Sequence, residues 1–152
     1  MKKSVIIIFI LAAVAARSNP VVRGTWSGVI IQYDEAGSQL KIPCTLYIND
    51  NDQTGDLSGE ITLTYNYKSG QRYTCKANFT GKIDYQTYNF SLNIGNYVYY
   101  DVLPENMQWC LGSISGSVRR EMEFKLYIIL AKMGTKCSET PTESDVVLLK
   151  QQ

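Results

Sequence analysis

The sequence contains no histidine among its 152 residues. Histidine is the commonest general base in enzymes and the commonest metal ligand, so its absence removes the residue on which many catalytic and metal sites depend. A serine or cysteine nucleophile would need a lysine or a carboxylate as its base. The chain also lacks a Cys-x-x-Cys pair, which argues against zinc binding and thioredoxin-type redox chemistry. We therefore predict a protein that is not an enzyme and has no metal and no cofactor.

Two segments come close to functional motifs without matching them. Gly112–Gly116 has the outer glycines of a Gly-x-Ser-x-Gly nucleophile elbow, but isoleucine stands where the nucleophile belongs. Small residues in this pattern predict a strand that needs close packing. Asn49–Gly55 is rich in Asn and Asp but lacks the spacing of a calcium loop, so it is interpreted as a turn. An enzyme with a carboxylate-based site ranks last among the functional hypotheses.

Positive and negative charges are nearly balanced. Fifteen Lys and Arg residues balance fourteen Asp and Glu residues, which gives a formal net charge of +1. The charges are interspersed along the chain, so no basic patch for nucleic acid or for an acidic membrane surface is predicted.

The N-terminal segment has the layout of a secretory signal peptide. Lys2 and Lys3 precede a short apolar core, Val5–Leu11, and the small residues Ala13–Ala16 follow it. A membrane-spanning helix needs about 20 apolar residues, and this run is shorter. We predict a signal peptide over residues 1–16, a secreted or periplasmic location, and no integral membrane span in the mature chain.

Alternation of apolar and polar side chains is the dominant pattern of the remaining sequence. It is clearest in Leu40–Ile48 and Leu57–Tyr67, which predict a hairpin with one buried and one wet face. Glu121–Leu130 contains helix-favouring residues, but its strict alternation favours a strand. The other predicted strands are Gly24–Tyr33, Gln71–Gly81, Tyr88–Ile94, Tyr97–Leu103, Trp109–Val118 and Val146–Lys150.

Short strands joined by short polar turns predict an all-β fold. The simplest topology is an up-and-down antiparallel meander of about eight strands that closes into a barrel, with Val146–Lys150 paired to the first strand at Trp26. We predict a lead-in over residues 17–23 and one barrel domain over residues 24–152. In each predicted strand, every second side chain faces the interior of the barrel. On this basis the predicted lumen wall consists of Trp26, Leu46, Ile61, Tyr73, Phe79, Phe90 and Phe124.

The four cysteines predict two disulfides in an exported chain, although sequence alone allows three connectivities. The meander places all four near one rim of the barrel. Cys110–Cys137 is the preferred bridge, because it joins the start of one strand to the loop after its hairpin partner. Cys44–Cys75 then remains, and it requires local distortion because a third strand separates the two.

Gly24-Thr25-Trp26, at the start of the first strand, resembles the Gly-x-Trp opening of lipocalins and related calycin barrels. The resemblance implies a tryptophan that plugs one end of the barrel and an open end that admits a small, usually apolar, molecule. The leading hypothesis is therefore non-enzymatic binding of a small apolar or amphipathic ligand in the lumen. The alternative is a filled barrel that binds a protein partner through surface loops such as Asn49–Gly55 and Lys136–Ser144.

Overall fold

The structure is a computed structural model that describes residues 22–33, 37–51, 53–104, 107–121, 126–135 and 142–151. Within these ranges the chain forms eight β-strands and no helix, which confirms the all-β prediction. The strands are β1 (Gly24–Tyr33), β2 (Gln39–Asn51), β3 (Asp56–Asn66), β4 (Arg72–Asp84), β5 (Asn89–Tyr100), β6 (Ser113–Glu121), β7 (Leu126–Thr135) and β8 (Thr142–Lys150).

The strands form one closed antiparallel barrel, in which each strand pairs with the next along the chain and β8 returns to β1. At the seam between the last strand and the first, Trp26 lies opposite Lys150. The predicted meander and its closure at Trp26 are both confirmed. Short connections make this topology natural, because consecutive antiparallel strands need only a tight turn to become neighbours.

β5 differs most from the sequence prediction. It is one continuous strand, whereas Tyr88–Ile94 and Tyr97–Leu103 were predicted as two strands separated by a turn. The register between β4 and β5 shifts on both sides of Ala77, so bulges absorb the extra residues at this point. Towards β6, only Asn89–Asn93 of β5 is paired. The second half of β5 therefore leaves β6 and continues along β4 to the rim of the barrel.

β6 also starts later than predicted. It begins at Ser113 rather than at Trp109, so Trp109 belongs to the connection between β5 and β6. At the other end of β5, Tyr88 has a φ of 58°, a left-handed conformation that does not fit a strand. β5 accordingly begins one residue later, at Asn89.

Of the side chains predicted to face the lumen, those that the structure describes belong to the buried interior of the barrel. Six of the seven are buried, and Phe124 lies outside the described residues. Val22 is buried too, although the sequence analysis placed it in a lead-in ahead of the barrel domain. The buried members of the predicted lumen wall are Trp26, Leu46, Ile61, Tyr73, Phe79 and Phe90.

The predicted Cys44–Cys75 disulfide is wrong, because both residues are free, buried thiols. Both pair with the same residue of β3, Leu63, one from each side. Neighbouring strands lie about 4.8 Å apart, so the two Cα atoms are about 10 Å apart across β3. A disulfide needs Cα atoms within about 7 Å of each other. Cys137 lies outside the described residues, so its bridge to Cys110 stays a prediction.

The predicted signal peptide, residues 1–16, also lies outside the described residues. In the part of the chain that the structure describes, no helix has the length and apolar character that crossing a membrane requires.

Candidate functional site

A cavity of about 160 Å³ lies at the barrel end where β1 stops and β2 begins. Its walls are mainly apolar, because inward-facing side chains of β1, β2, β3 and β7 converge there. Ile30, Leu63 and Met133 are nearly or fully buried in these walls. The remaining lining residues are Gln32, Leu40, Ile42, Tyr65, Leu103, Met107, Gln108, Trp109 and Cys110. We call this space the mouth cavity.

One wall of the mouth cavity comes from the connection between β5 and β6, and Trp109 is held there by two hydrogen bonds. Its indole Nε1 donates to the backbone oxygen of Asp101 at 2.8 Å. The Tyr97 hydroxyl donates to the backbone oxygen of Trp109 at 2.9 Å. These bonds tie the connection to the end of β5, so the orientation of the indole does not depend on apolar contacts alone.

Asp101 fixes the point at which the chain leaves β5. The backbone N–H of Asp101 donates to the oxygen of Thr74 at 2.9 Å. The N–H of Thr74 donates back to Asp101 Oδ2 at 2.7 Å, and the Tyr99 hydroxyl donates to Oδ1. The hydroxyl of Tyr99 and the amide of Thr74 stabilise the carboxylate, which lowers the pKa of Asp101 below its usual value. Asp101 is therefore a carboxylate at neutral pH.

A second depression, of about 260 Å³, lies against the same connection. We call it the aromatic groove. The rings of Tyr97 and Tyr100 meet in it at 59°, with their centroids 5.4 Å apart. Its other lining residues are Asp101, Val102, Leu103, Met107, Gln108 and Trp109, so Trp109 and three of its neighbours border both spaces. The mouth cavity and the aromatic groove therefore share a wall.

The opposite end of the barrel is closed around Trp26. Its indole Nε1 donates to the backbone oxygen of Val22 at 2.8 Å, and both residues are buried. Lys150, the residue opposite Trp26 on β8, places its Nζ 5.8 Å from the centroid of the Trp26 ring. It lies at the same distance from the Tyr127 ring, so one cation contacts two aromatic faces. Desolvation by burial lowers the pKa of Lys150, and the charge of Asp50 opposes that shift.

The predicted lumen residues do not line the mouth cavity. The six that are described are buried elsewhere in the barrel, and the cavity is formed by a different set of inward residues together with the β5–β6 connection. Parity along each strand identified which side chains point inward, but it did not indicate at which level the interior stays open. The break at Pro104, directly after an aromatic run, was the one signal in the sequence for the segment that forms the wall.

Cys44 and Cys75 carry no accessible reactive group. Burial raises the pKa of the Cys44 thiol to about 12 and that of Cys75 to about 11. Both are therefore protonated at neutral pH, and thiols act as nucleophiles or metal ligands only when deprotonated. Within the described residues, no group of three or more Cys, Asp or Glu side chains is arranged to hold a metal ion.

No protein-family model matches this sequence, and no curated protein resembles it closely enough to count as a match.

Proposed function

We propose that this protein is an exported, non-enzymatic barrel of calycin type that binds a small apolar or amphipathic molecule in the mouth cavity. The observation that carries the proposal is an apolar space between the buried side chains of Ile30, Leu63 and Met133 and the anchored indole of Trp109. Binding sites for small molecules are concave and mostly apolar, with a few polar groups that orient the ligand. Gln32 and Gln108 supply such groups here.

The size of the mouth cavity limits the ligand. An apolar cavity of about 150 Å³ accommodates benzene, so about 160 Å³ suits one aromatic ring or a short branched chain. A longer molecule would have to extend past Trp109 into the aromatic groove. The expected ligand is therefore much smaller than a fatty acid or a steroid.

The export and calycin parts of the proposal rest on the sequence and on the closed end of the barrel. The basic start and short apolar core of residues 1–16 have the signal-peptide layout. Trp26 of the Gly24–Trp26 motif is buried at the barrel end opposite the mouth cavity, which supports the calycin part of the proposal. A Cys110–Cys137 bridge would brace the cavity, because Cys110 is one of its lining residues.

The non-enzymatic part rests on the polar groups that border the cavity. The Tyr97 hydroxyl and the Asp101 carboxylate are both engaged in hydrogen bonds that hold the β5–β6 connection in place. These hydrogen bonds occupy both groups, and the sequence has no histidine to act as a base beside them.

The test is calorimetric titration of the mature protein with neutral probes of one ring, such as toluene and tert-butylbenzene. We expect one site per chain and a negative heat-capacity change, because apolar surface is removed from water. Ile42→Phe places a larger side chain at the cavity wall and should weaken binding by about tenfold or more. Val147→Phe adds a similar side chain on the outer face, where Val147 is 36% exposed, and should leave binding unchanged.

Failure of every neutral probe to bind, with the variants folded as judged by circular dichroism, would contradict the proposal. So would an equal loss of affinity in Ile42→Phe and Val147→Phe, because it would show that the site lies elsewhere.

One observation favours the alternative of a protein-interaction surface. Outward-facing aliphatic residues of β7 and β8 leave apolar area in water, with Leu130 40% and Leu149 42% exposed. Exposed apolar patches of this kind mark contact surfaces in many proteins. The substitutions Leu130→Glu and Leu149→Lys, which place charges on this face, would abolish a protein contact there without altering binding of the neutral probes.

A further inference from the structure

We infer that the ligand is an organic cation, whose ammonium group sits in the aromatic groove while an apolar group attached to it enters the mouth cavity. This inference rests on the proposed function, since it names the chemical class of ligand for that site. It combines three observations: two tilted tyrosine rings, a carboxylate beside them, and an apolar cavity behind their shared wall.

The rings of Tyr97 and Tyr100 are placed so that one cation can contact both. A cation is attracted to the face of an aromatic ring when it lies within about 6 Å of the ring centroid. The two centroids are only 5.4 Å apart and the rings are tilted by 59°, so an ammonium group that approaches the pair from its solvent side can lie within this distance of both centroids. The Trp109 side chain borders the same groove and offers a third aromatic surface.

These tyrosines are open to the ligand. Tyr97 is 41% and Tyr100 is 55% exposed, so both rings are accessible from solvent. The cation–ring contacts among the described residues involve Trp26 and Tyr127 at the opposite end of the barrel, not these two rings. Lys76 lies opposite Tyr99 on β4, but its ammonium is paired with the carboxylate of Glu60, at 3.5 Å, and not with these two rings.

Asp101 supplies the charge that selects a cation over a neutral ligand. It borders the groove, and its two oxygens each accept one hydrogen bond. A carboxylate oxygen has a second lone pair, so Asp101 keeps its charge and further accepting capacity towards the groove. Hydrogen bonds from Tyr99 and Thr74 lower the pKa of Asp101 below its usual value, so the carboxylate is charged at neutral pH.

The apolar part of the ligand is placed by the shared wall. The groove and the cavity are both bordered by Leu103, Met107, Gln108 and Trp109. An ammonium group in the groove and a ring in the cavity would therefore lie on the two sides of this one segment of the chain. The best fit is a short amphipathic cation, such as an aryl-alkyl amine or a quaternary ammonium carrying one ring.

The test compares two probes that differ in charge and hardly in shape: phenyltrimethylammonium and tert-butylbenzene. We expect calorimetric titration to show tighter binding of the cation by about 2-fold to 30-fold, the range that cation–aromatic contacts provide. Tyr100→Leu should remove this preference while keeping the affinity for tert-butylbenzene, and Asp101→Asn should reduce the ratio of the two affinities. Tyr47→Leu removes a tyrosine that is 48% exposed on β2, away from the groove, and should retain the preference.

The outcomes separate this inference from the function on which it rests. Equal affinity for both probes, or a preference that survives in Tyr100→Leu, would overturn the assignment of a cation and leave apolar binding in the cavity intact. Binding of neither probe would overturn both proposals. A variant that loses its cooperative thermal transition is replaced by Tyr100→Ile or Asp101→Ser, for which the same outcomes apply.

Discussion

The thiols of Cys44 and Cys75 provide a quantitative test of the barrel and its register. Their pKa values are raised by burial to about 12 and about 11, against 9.0 for an unperturbed thiol. Only the thiolate reacts with disulfide reagents. At pH 8 the thiolate fraction is therefore about 1 in 10,000 for Cys44 and about 1 in 1,000 for Cys75, against about 1 in 10 for the unperturbed thiol.

These fractions predict how fast each thiol is labelled. In the folded protein, an aromatic disulfide reagent should label Cys44 about a thousandfold and Cys75 about a hundredfold more slowly than an exposed cysteine introduced by Ser58→Cys. The steric protection of two buried sulfur atoms slows both reactions further. In guanidinium chloride both cysteines should react at the rate of the introduced one, because unfolding restores the ordinary pKa.

The same experiment examines the register of β2, β3 and β4. Peptide mapping of protein oxidised in air should show no disulfide between Cys44 and Cys75, because β3, with Leu63 opposite both cysteines, lies between their strands. The placement of both residues on the inner face, with β3 between them, would be refuted by either of two results. One is detection of that bridge, and the other is labelling of either thiol as fast as the cysteine of Ser58→Cys.

Three further results are expected. Gly116→Ala should lower the free energy of unfolding in urea by about 1–3 kcal/mol, because its Cβ would lie 2.2 Å from the backbone oxygen of Leu130. Gly134→Ala is the control, because its Cβ would lie 3.7 Å from the nearest atom, and an equal loss of unfolding free energy in both variants would contradict the argument. The stability that Asp101 contributes is fully present above its unfolded pKa of about 3.8 and is lost as the pH falls through its lower folded pKa. Asp101→Asn should therefore flatten the acid limb of stability against pH, and an unchanged limb would argue against its role as an anchor. Trp26→Phe leaves a buried backbone oxygen without its indole donor and should cost about 1–3 kcal/mol in the same urea assay, whereas a loss below 0.5 kcal/mol would contradict that role.

The topology could be predicted because alternation and connection length carry most of the information. Side chains of a strand alternate faces, so Leu46, Ile61 and Phe79 could be assigned to the interior from sequence alone, and all three are buried. Short turns leave few choices of neighbour, which is why the pairing of Val146–Lys150 with the strand of Trp26 could be foreseen.

Strand ends and bridges were less predictable because they depend on distances that a period of two does not encode. A bulge and a turn both interrupt alternation, so residues 94–97 were interpreted as a turn when they lie within β5. The Cys44–Cys75 bridge was left by elimination once Cys110 was assigned to Cys137; the predicted meander already placed a strand between the two, and β3 does separate them. Lys150 over Trp26 was missed for a similar reason, since the contact depends on the reach of a flexible side chain across the seam.

The mouth cavity was the feature that the sequence predicted least well. It arises where the inward residues of four strands stop short of each other and the β5–β6 connection crosses the rim, so no single segment contains its signature. What the sequence did contain was an excess of tyrosine, which suits both filler and ligand contact. Exposure resolves that ambiguity: Tyr73 is buried and acts as core, whereas Tyr97 and Tyr100, only a bulge away on the neighbouring strand, stay open beside Asp101. The bulge that the strand prediction missed also sets Tyr97 opposite Ala77 and Tyr100 opposite Cys75, so both rings lie on one face of β5 and border the groove.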